Sequence, residues 1–175
     1  MPVSAIVTTP GSATANSYVT IAVADQYHLD RPPAGTTWDD ATVDQKTAAI
    51  LFATKLLDSM YVWSGWAAIS TQVLGWPRTG MWYRTGYYVP SDLIPVELQF
   101  ATAEYARQLL VADRSADSDI ETQGISSLSA GPVSLSFQAT VVAKVIPDAV
   151  VNLIPSDWGV VRSRSGVAFR NVVRA

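Results

Sequence analysis

The chain has 175 residues, 49% hydrophobic and 15% charged, with a formal net charge of −3, no cysteine and one histidine, His28. That length suits one domain with a real core, and the surplus of apolar over charged residues calls for burial at a subunit interface as well. Disulfide scaffolds, thiolate zinc sites and Cys/His nucleophilic pairs are excluded, and no run reaches the ~18 apolar residues of a membrane span.

Residues 1–15, rich in Thr, Ser, Gly and Pro, read as a flexible leader without the basic and apolar regions of a secretory signal. Thr20 is placed to cap a short helix over 21–30, which Arg31-Pro32-Pro33 ends. A second helix over about 43–61 opens with Thr42-Val43-Asp44-Gln45, the spacing of a capping box. Val43, Ile50, Leu51, Leu57 and Tyr61 form its apolar stripe, widened by Ala49, Phe52, Leu56 and Met60. Between 64 and 95 runs a long connection dense in rings: Trp66, Trp76, Trp82, Tyr83, Tyr87 and Tyr88. Within it Trp76-Pro77-Arg78 reads as a rigid structural corner, with Trp76 in the core or an interface and Arg78 holding a carboxylate. A third helix opens at Pro95 and runs to about 113, with Glu97, Glu104 and Gln108 as a narrow polar stripe.

After a polar hinge over 114–122, the alternation Val133-Ser134-Leu135-Ser136-Phe137 and the turn residues Gly131-Pro132 predict a β-hairpin of about 123–129 with 132–138. Pro147 starts a short helix ended by Pro155, and 158–175 alternates valines with arginines as an extended C-terminal arm. The expected fold is mainly α: a leader (1–15), a small helical bundle (16–122), and a hairpin, short helix and arm (123–175). Residues 1–121 hold 13 acids against 7 bases, whereas 122–175 hold 2 against 5. The arm, with Arg162, Arg164, Phe169, Arg170 and Arg174, is therefore the expected partner-binding segment, by strand addition or inserted apolar side chains. A tail strand of the protein's own sheet is the alternative.

The residues give no support for catalysis. His28 lacks a second histidine and no Gly-x-Ser-x-Gly elbow is present. Asp39-Asp40 and Asp117/Asp119 suit solvated or capping roles, and no phosphate-binding glycine loop occurs. No catalytic, cofactor or metal residue is assigned. The rings at 61–88 with Arg78 and Arg84 are candidate stacking platforms for single strands. Packing is the favoured fate for them, because 1–121 is net acidic.

Taken in order, Ala15-Asn16-Ser17-Tyr18-Val19-Thr20, Ala24-Asp25-Gln26-Tyr27-His28, the Lys46 to Asp58 helix, Leu74-Gly75-Trp76-Pro77-Arg78, Ile94-Pro95…Glu104 and Gly131-Pro132-Val133-Ser134 resemble the head–tail connector (head completion, adaptor) proteins of tailed phages. That family also carries the label DnaT-like single-stranded-DNA-binding, and the likeness covers about 13–138. It implies a helical bundle with a hairpin, and a structural virion protein at the head–tail junction, assembled in the host cytoplasm. The implied partners are the chain itself in a twelve-fold ring, the portal, tail or stopper/terminator proteins, and genome DNA that passes without specific binding during ejection. An acidic wall would not trap passing phosphate. Two other readings follow: a single-stranded-DNA-binding replication accessory using Arg78, Arg84 and the nearby rings, and a regulatory module of a prophage.

Overall fold

Helix caps set the frame in the computed structural model, which describes residues 2–32, 35–113, 127–130, 133–136 and 144–162. α1 (Ile21–Leu29) starts at Thr20, whose hydroxyl accepts the Val23 N–H at 3.3 Å. α2 (Val43–Met60) has the full capping box: Thr42 Oγ1 accepts from Gln45 N at 3.3 Å, and Gln45 Oε1 accepts from Thr42 N at 2.9 Å. α3 (Val96–Val111) follows Pro95 and α4 (Asp148–Val151) follows Pro147, a position where a missing N–H costs the helix nothing. Among the described residues six short strands accompany them: β1 (Tyr61–Trp63), β2 (Trp66–Ala67), β3 (Arg78–Thr79), β4 (Ser127–Ala130), β5 (Val133–Ser136) and β6 (Gly159–Val161). They pair antiparallel as β1–β6, β2–β3 and β4–β5, the last in the register Leu128↔Leu135. The fold is thus mainly α with a β-hairpin, as the sequence predicts. The outer ends of that hairpin, 123–126 and 137–138, and its turn lie outside the described residues.

α2 packs most extensively on α3, and α1 and α4 also lie against α3. Ile50, Ala53 and Leu57 from α2 meet a core that includes Leu98, Ala101 and Tyr105 from α3, Val19 before α1 and Val150 from α4. Each large apolar side chain sealed in this way contributes roughly 1.5–3 kcal/mol. The buried arc of α2 keeps Ile50, Leu57 and Tyr61 of the predicted stripe, with Ala49 and Leu56 beside them, but is shifted at its edges. Val43 is exposed and Leu51 half-buried, while Thr47 and Thr54 are inside. Their hydroxyls donate to the Val43 and Ile50 carbonyls at 2.7 and 3.0 Å, so they enter the core already satisfied and the arc shifts towards them.

The segment before α1 is tied to the body. Asn16 Oδ1 accepts from Val7 N at 2.7 Å and its amide donates to the Ala5 carbonyl, Ile6 packs against the core, and the Tyr18 hydroxyl donates to Asp58 on α2. At the other end the described part of the tail, which ends at Arg162, is a strand paired within the body. Trp158 is buried, β6 pairs Val161↔Tyr61 and Gly159↔Trp63, and Arg162 N donates to the Met60 carbonyl. The indole of Trp158 fills space that only the packed body supplies, which pins the strand after it. Arg164, Phe169, Arg170 and Arg174 lie outside the described residues.

Candidate nucleic-acid interface

The connection over 64–95 is organised from below by buried rings and one arginine. Tyr61, Trp63, Trp76, Trp158 and Tyr83 form a ladder, with successive ring centroids 4.5, 5.8, 5.0 and 5.7 Å apart. The Trp76–Pro77 peptide bond is cis. Arg78 does not hold a carboxylate through a hydrogen bond. Its Nε donates to Ser64 O at 2.5 Å, Nη1 to Gly75 O at 2.9 Å and Nη2 to Gly65 O at 2.8 Å, so one guanidinium ties both sides of the β2–β3 pairing together. A planar fork with five donors can serve three carbonyls at once, which explains the departure from a simple ion pair. Gly65, at φ +66°, turns the chain where a Cβ would collide with the Thr79 carbonyl. Asp58 lies behind the corner and accepts from Tyr18, Gly75 N at 2.9 Å and Trp63 Nε1 at 3.3 Å. Burial pushes its carboxyl up despite those donors and the nearby Arg78 charge.

Above this base residues 81–89 form a hairpin. Val89 N donates to Met81 O at 3.0 Å, Tyr83 N to Tyr87 O at 2.8 Å and Gly86 N to Tyr83 O at 2.9 Å, with Trp82 bridged to Tyr88. Met81 and Val89 are buried anchors, and Trp158 Nε1 donates to the Trp82 carbonyl at 2.8 Å from underneath. What the hairpin and the neighbouring β2 show to solvent is aromatic: Trp66 is 75% exposed, Tyr87 75%, Tyr88 60% and Trp82 49%. Trp82 and Tyr88 lie 3.7 Å apart between centroids with their planes tilted by 35°, and the Trp66 ring lies over Gly80, just before the hairpin. Arg84 projects at the tip beside Thr85 and Gly86, and it too is exposed.

Packing was thus the fate of only part of the ring set. Buried Trp76 and exposed Trp66 and Trp82 have opposite roles within one segment. The charge argument against a nucleic-acid surface also dissolves locally, since residues 59–91 contain Arg78 and Arg84 and no acid at all. Summing charge over 121 residues hid an acid-free window of 33. Of its two arginines Arg78 is committed to backbone carbonyls, whereas Arg84 is exposed.

The other candidate residues are structural. His28 Nε2 donates to Ala103 O at 3.1 Å, its ring packs against Tyr27 and Trp38, and burial lowers its pKa. Glu104, predicted on a polar stripe, is only 3% exposed and binds Arg31, Arg107 and Gln108. Nothing in its local spacing announces Arg31, 73 residues away. Asp39 and Asp40 are exposed, and Asp117/Asp119 lie outside the described residues. Among the described residues no group of three or more His, Asp or Glu side chains is placed to hold a metal ion, and no helix is long and apolar enough to cross a membrane.

Fold and site together define a mainly-α domain that displays an aromatic, acid-free hairpin next to a rigid base. The chain belongs to the DnaT-like ssDNA-binding family: the family model described as "Putative DnaT-like ssDNA binding protein" matches residues 4–175. Comparison with curated proteins and with solved structures found no match. The family match corrects the connector assignment, because it describes single-stranded-DNA binding and carries no head–tail junction role. With that assignment go the virion ring, the portal, tail and stopper partners, and the idea that DNA passes without being bound. The shared sequence landmarks belong to a fold, and they do not specify a virion position.

Proposed function

We propose that this chain is a non-catalytic single-stranded-DNA-binding protein whose bases stack on the rings of the 64–90 segment. The observation that carries the reading is the exposure of Trp66, Trp82, Tyr87 and Tyr88 in a stretch that holds arginine and no acid. Large rings left in water cost free energy that a packed domain avoids unless a partner covers them. A nucleobase has a π-face whatever its identity, so exposed rings beside a cation suit a strand without sequence preference. Duplex DNA hides those faces within its stack, and an acidic body repels its phosphates. The family description supports the same ligand.

The test is a titration of a fluorescently labelled thymidine oligonucleotide with the full chain, followed by anisotropy. Binding should be tighter than to duplex of equal length and should quench tryptophan emission. Trp82→Ala and Trp66→Ala should each weaken it by about 5- to 100-fold, the usual range for losing one stacked base. Absence of binding by the unaltered chain, or preference for duplex, would overturn the reading.

A further inference from the structure

Beside the hairpin tip lies an open groove of about 410 Å³, bounded by Tyr61 of β1, Val161 of β6, Asn152 and Ile154 after α4, Ser156 and Arg84. That volume falls at the lower end of the ~300–1,000 Å³ typical of small-molecule sites. Tyr61 lines the groove, is only 4% exposed as a residue and stacks on Trp63, and its hydroxyl makes no hydrogen bond among the described residues while keeping contact with solvent. Burial raises the phenol to about 12, so it stays neutral and able to donate or accept. Among the described residues no carboxylate lines the groove, and Arg84 is the one charged side chain that does.

We propose that this groove holds one nucleotide of the bound single strand, with its neighbours stacked on the Trp82–Tyr88 pair. The inference rests on the single-strand-binding reading and assigns a second subsite to it. The base lies against the Ile154 and Val161 side chains, while the Tyr61 hydroxyl and the Asn152 amide meet its polar edge. An amide has both donor and acceptor, as a base edge does. Arg84, common to hairpin tip and groove, takes the phosphodiester between the two subsites. One cation facing a singly charged linkage gives charge balance, and continuity through Arg84 is what selects a strand over an unrelated small ligand. The stacking rings tolerate any base, so whatever base preference the protein has arises in the groove.

The experiment measures affinities of the full chain for thymidine, deoxyadenosine and deoxycytidine homopolymers of equal length, with Tyr61→Phe, Asn152→Ala and Trp82→Ala variants. Tyr61→Phe keeps the ring and its stack on Trp63 and removes a hydroxyl that makes no hydrogen bond among the described residues, so its thermal melt should match the parent. Loss of one or two hydrogen bonds should lower affinity for the preferred homopolymer roughly five- to tenfold and leave the others nearly unchanged. Trp82→Ala should weaken all three alike. If Tyr61→Phe and Asn152→Ala bind every homopolymer as the parent does, the groove assignment is wrong while strand binding stands. Should the parent bind no homopolymer, both readings fail together. A Tyr61-dependent affinity for free thymidine monophosphate, with oligonucleotide binding insensitive to Tyr61→Phe, would make the groove a free-nucleotide site and overturn its place on the strand.

Discussion

Arg78 gives its donors to the carbonyls of Ser64, Gly65 and Gly75, whereas Arg84, six residues on, stands exposed at a hairpin tip. The two therefore separate stability from binding. Arg78→Lys leaves a point charge with tetrahedral donors that cannot reach three carbonyls, and a loss of about 1–3 kcal/mol in urea unfolding is expected. The salt dependence of oligonucleotide affinity should stay as in the parent. Arg84→Ala should do the reverse: unchanged urea midpoint, weaker binding, and a log–log salt slope shallower by about 0.7, one phosphate's worth on a single strand. If Arg78→Lys weakens oligonucleotide binding under conditions where it stays folded, its guanidinium contacts DNA and the structural role assigned to it is incomplete. Residue roles were only partly legible in the sequence. Trp76-Pro77-Arg78 stood out as a corner because its residue types are restrictive, but the carbonyls it clamps lie 3 to 14 residues away and have no side-chain signature. Glu104 looked like one more solvent-facing acid because helical spacing reveals a face and not the element that covers it.

Local chemistry made the helical elements readable, and distant pairing hid the rest. Thr20, Thr42 with Gln45, Pro95 and Pro147 each act within a turn of the helix they start, so caps and proline positions locate α1 to α4 from sequence. β4 and β5 were readable for the same reason, since their alternation and turn are contiguous. β1 and β6 were not: a valine-rich stretch supports an arm or a strand equally until its partner, almost 100 residues upstream, is known. Their pairing has a steric signature. A Cβ on Gly159 would stand 2.8 Å from the Val62 carbonyl and 3.2 Å from Trp63 Cα, both backbone atoms that yield only if the strands part. Gly159→Ala is therefore expected to destabilise by about 1–3 kcal/mol, and to loosen Trp158 and the ring ladder along with β6. Near-ultraviolet circular dichroism should lose its tryptophan bands before helical ellipticity falls. An unaltered melt and unaltered aromatic bands would show that the strand is not seated this way in solution.

At the scale of the whole molecule, charge is sorted rather than spread, and total net charge was the least informative number in the sequence. Acids surround a window from 59 to 91 that has none, and the buried ionisable groups sit on the helical side of the fold. Those groups set how stability responds to acid. The folded state disfavours a charged His28, since Nε2 donates to the Ala103 carbonyl and Nδ1 is buried without a partner among the described residues. Burial lowers its pKa from 6.5, with Arg107 and Arg31 adding to the effect and the Ala103 bond and Glu104 opposing it. Below about pH 6.5 the unfolded chain therefore binds this proton more readily than the folded one, and stability falls as pH falls. For Glu104 burial pushes upward, but the bonds from Arg107 and Gln108 and the charges of Arg107 and Arg31 outweigh it and the pKa is lowered. Its contribution is present above 4.5 and is lost as pH drops through the folded value. Asp58, raised by burial, has the opposite sign and partly offsets Glu104 in strong acid. The melting temperature should accordingly decline in two stages, from about pH 6.5 because of His28 and again below about 4.5 because of Glu104. His28→Gln retains a donor for the Ala103 carbonyl and cannot titrate, so it should flatten the first stage by a few degrees and leave the second intact. Thermal melts at closely spaced pH values read both stages in one series. A parent whose melting temperature is level between pH 7 and 5, or a variant with the parent's slope, would mean that His28 is protonated in the folded protein as easily as in the unfolded chain.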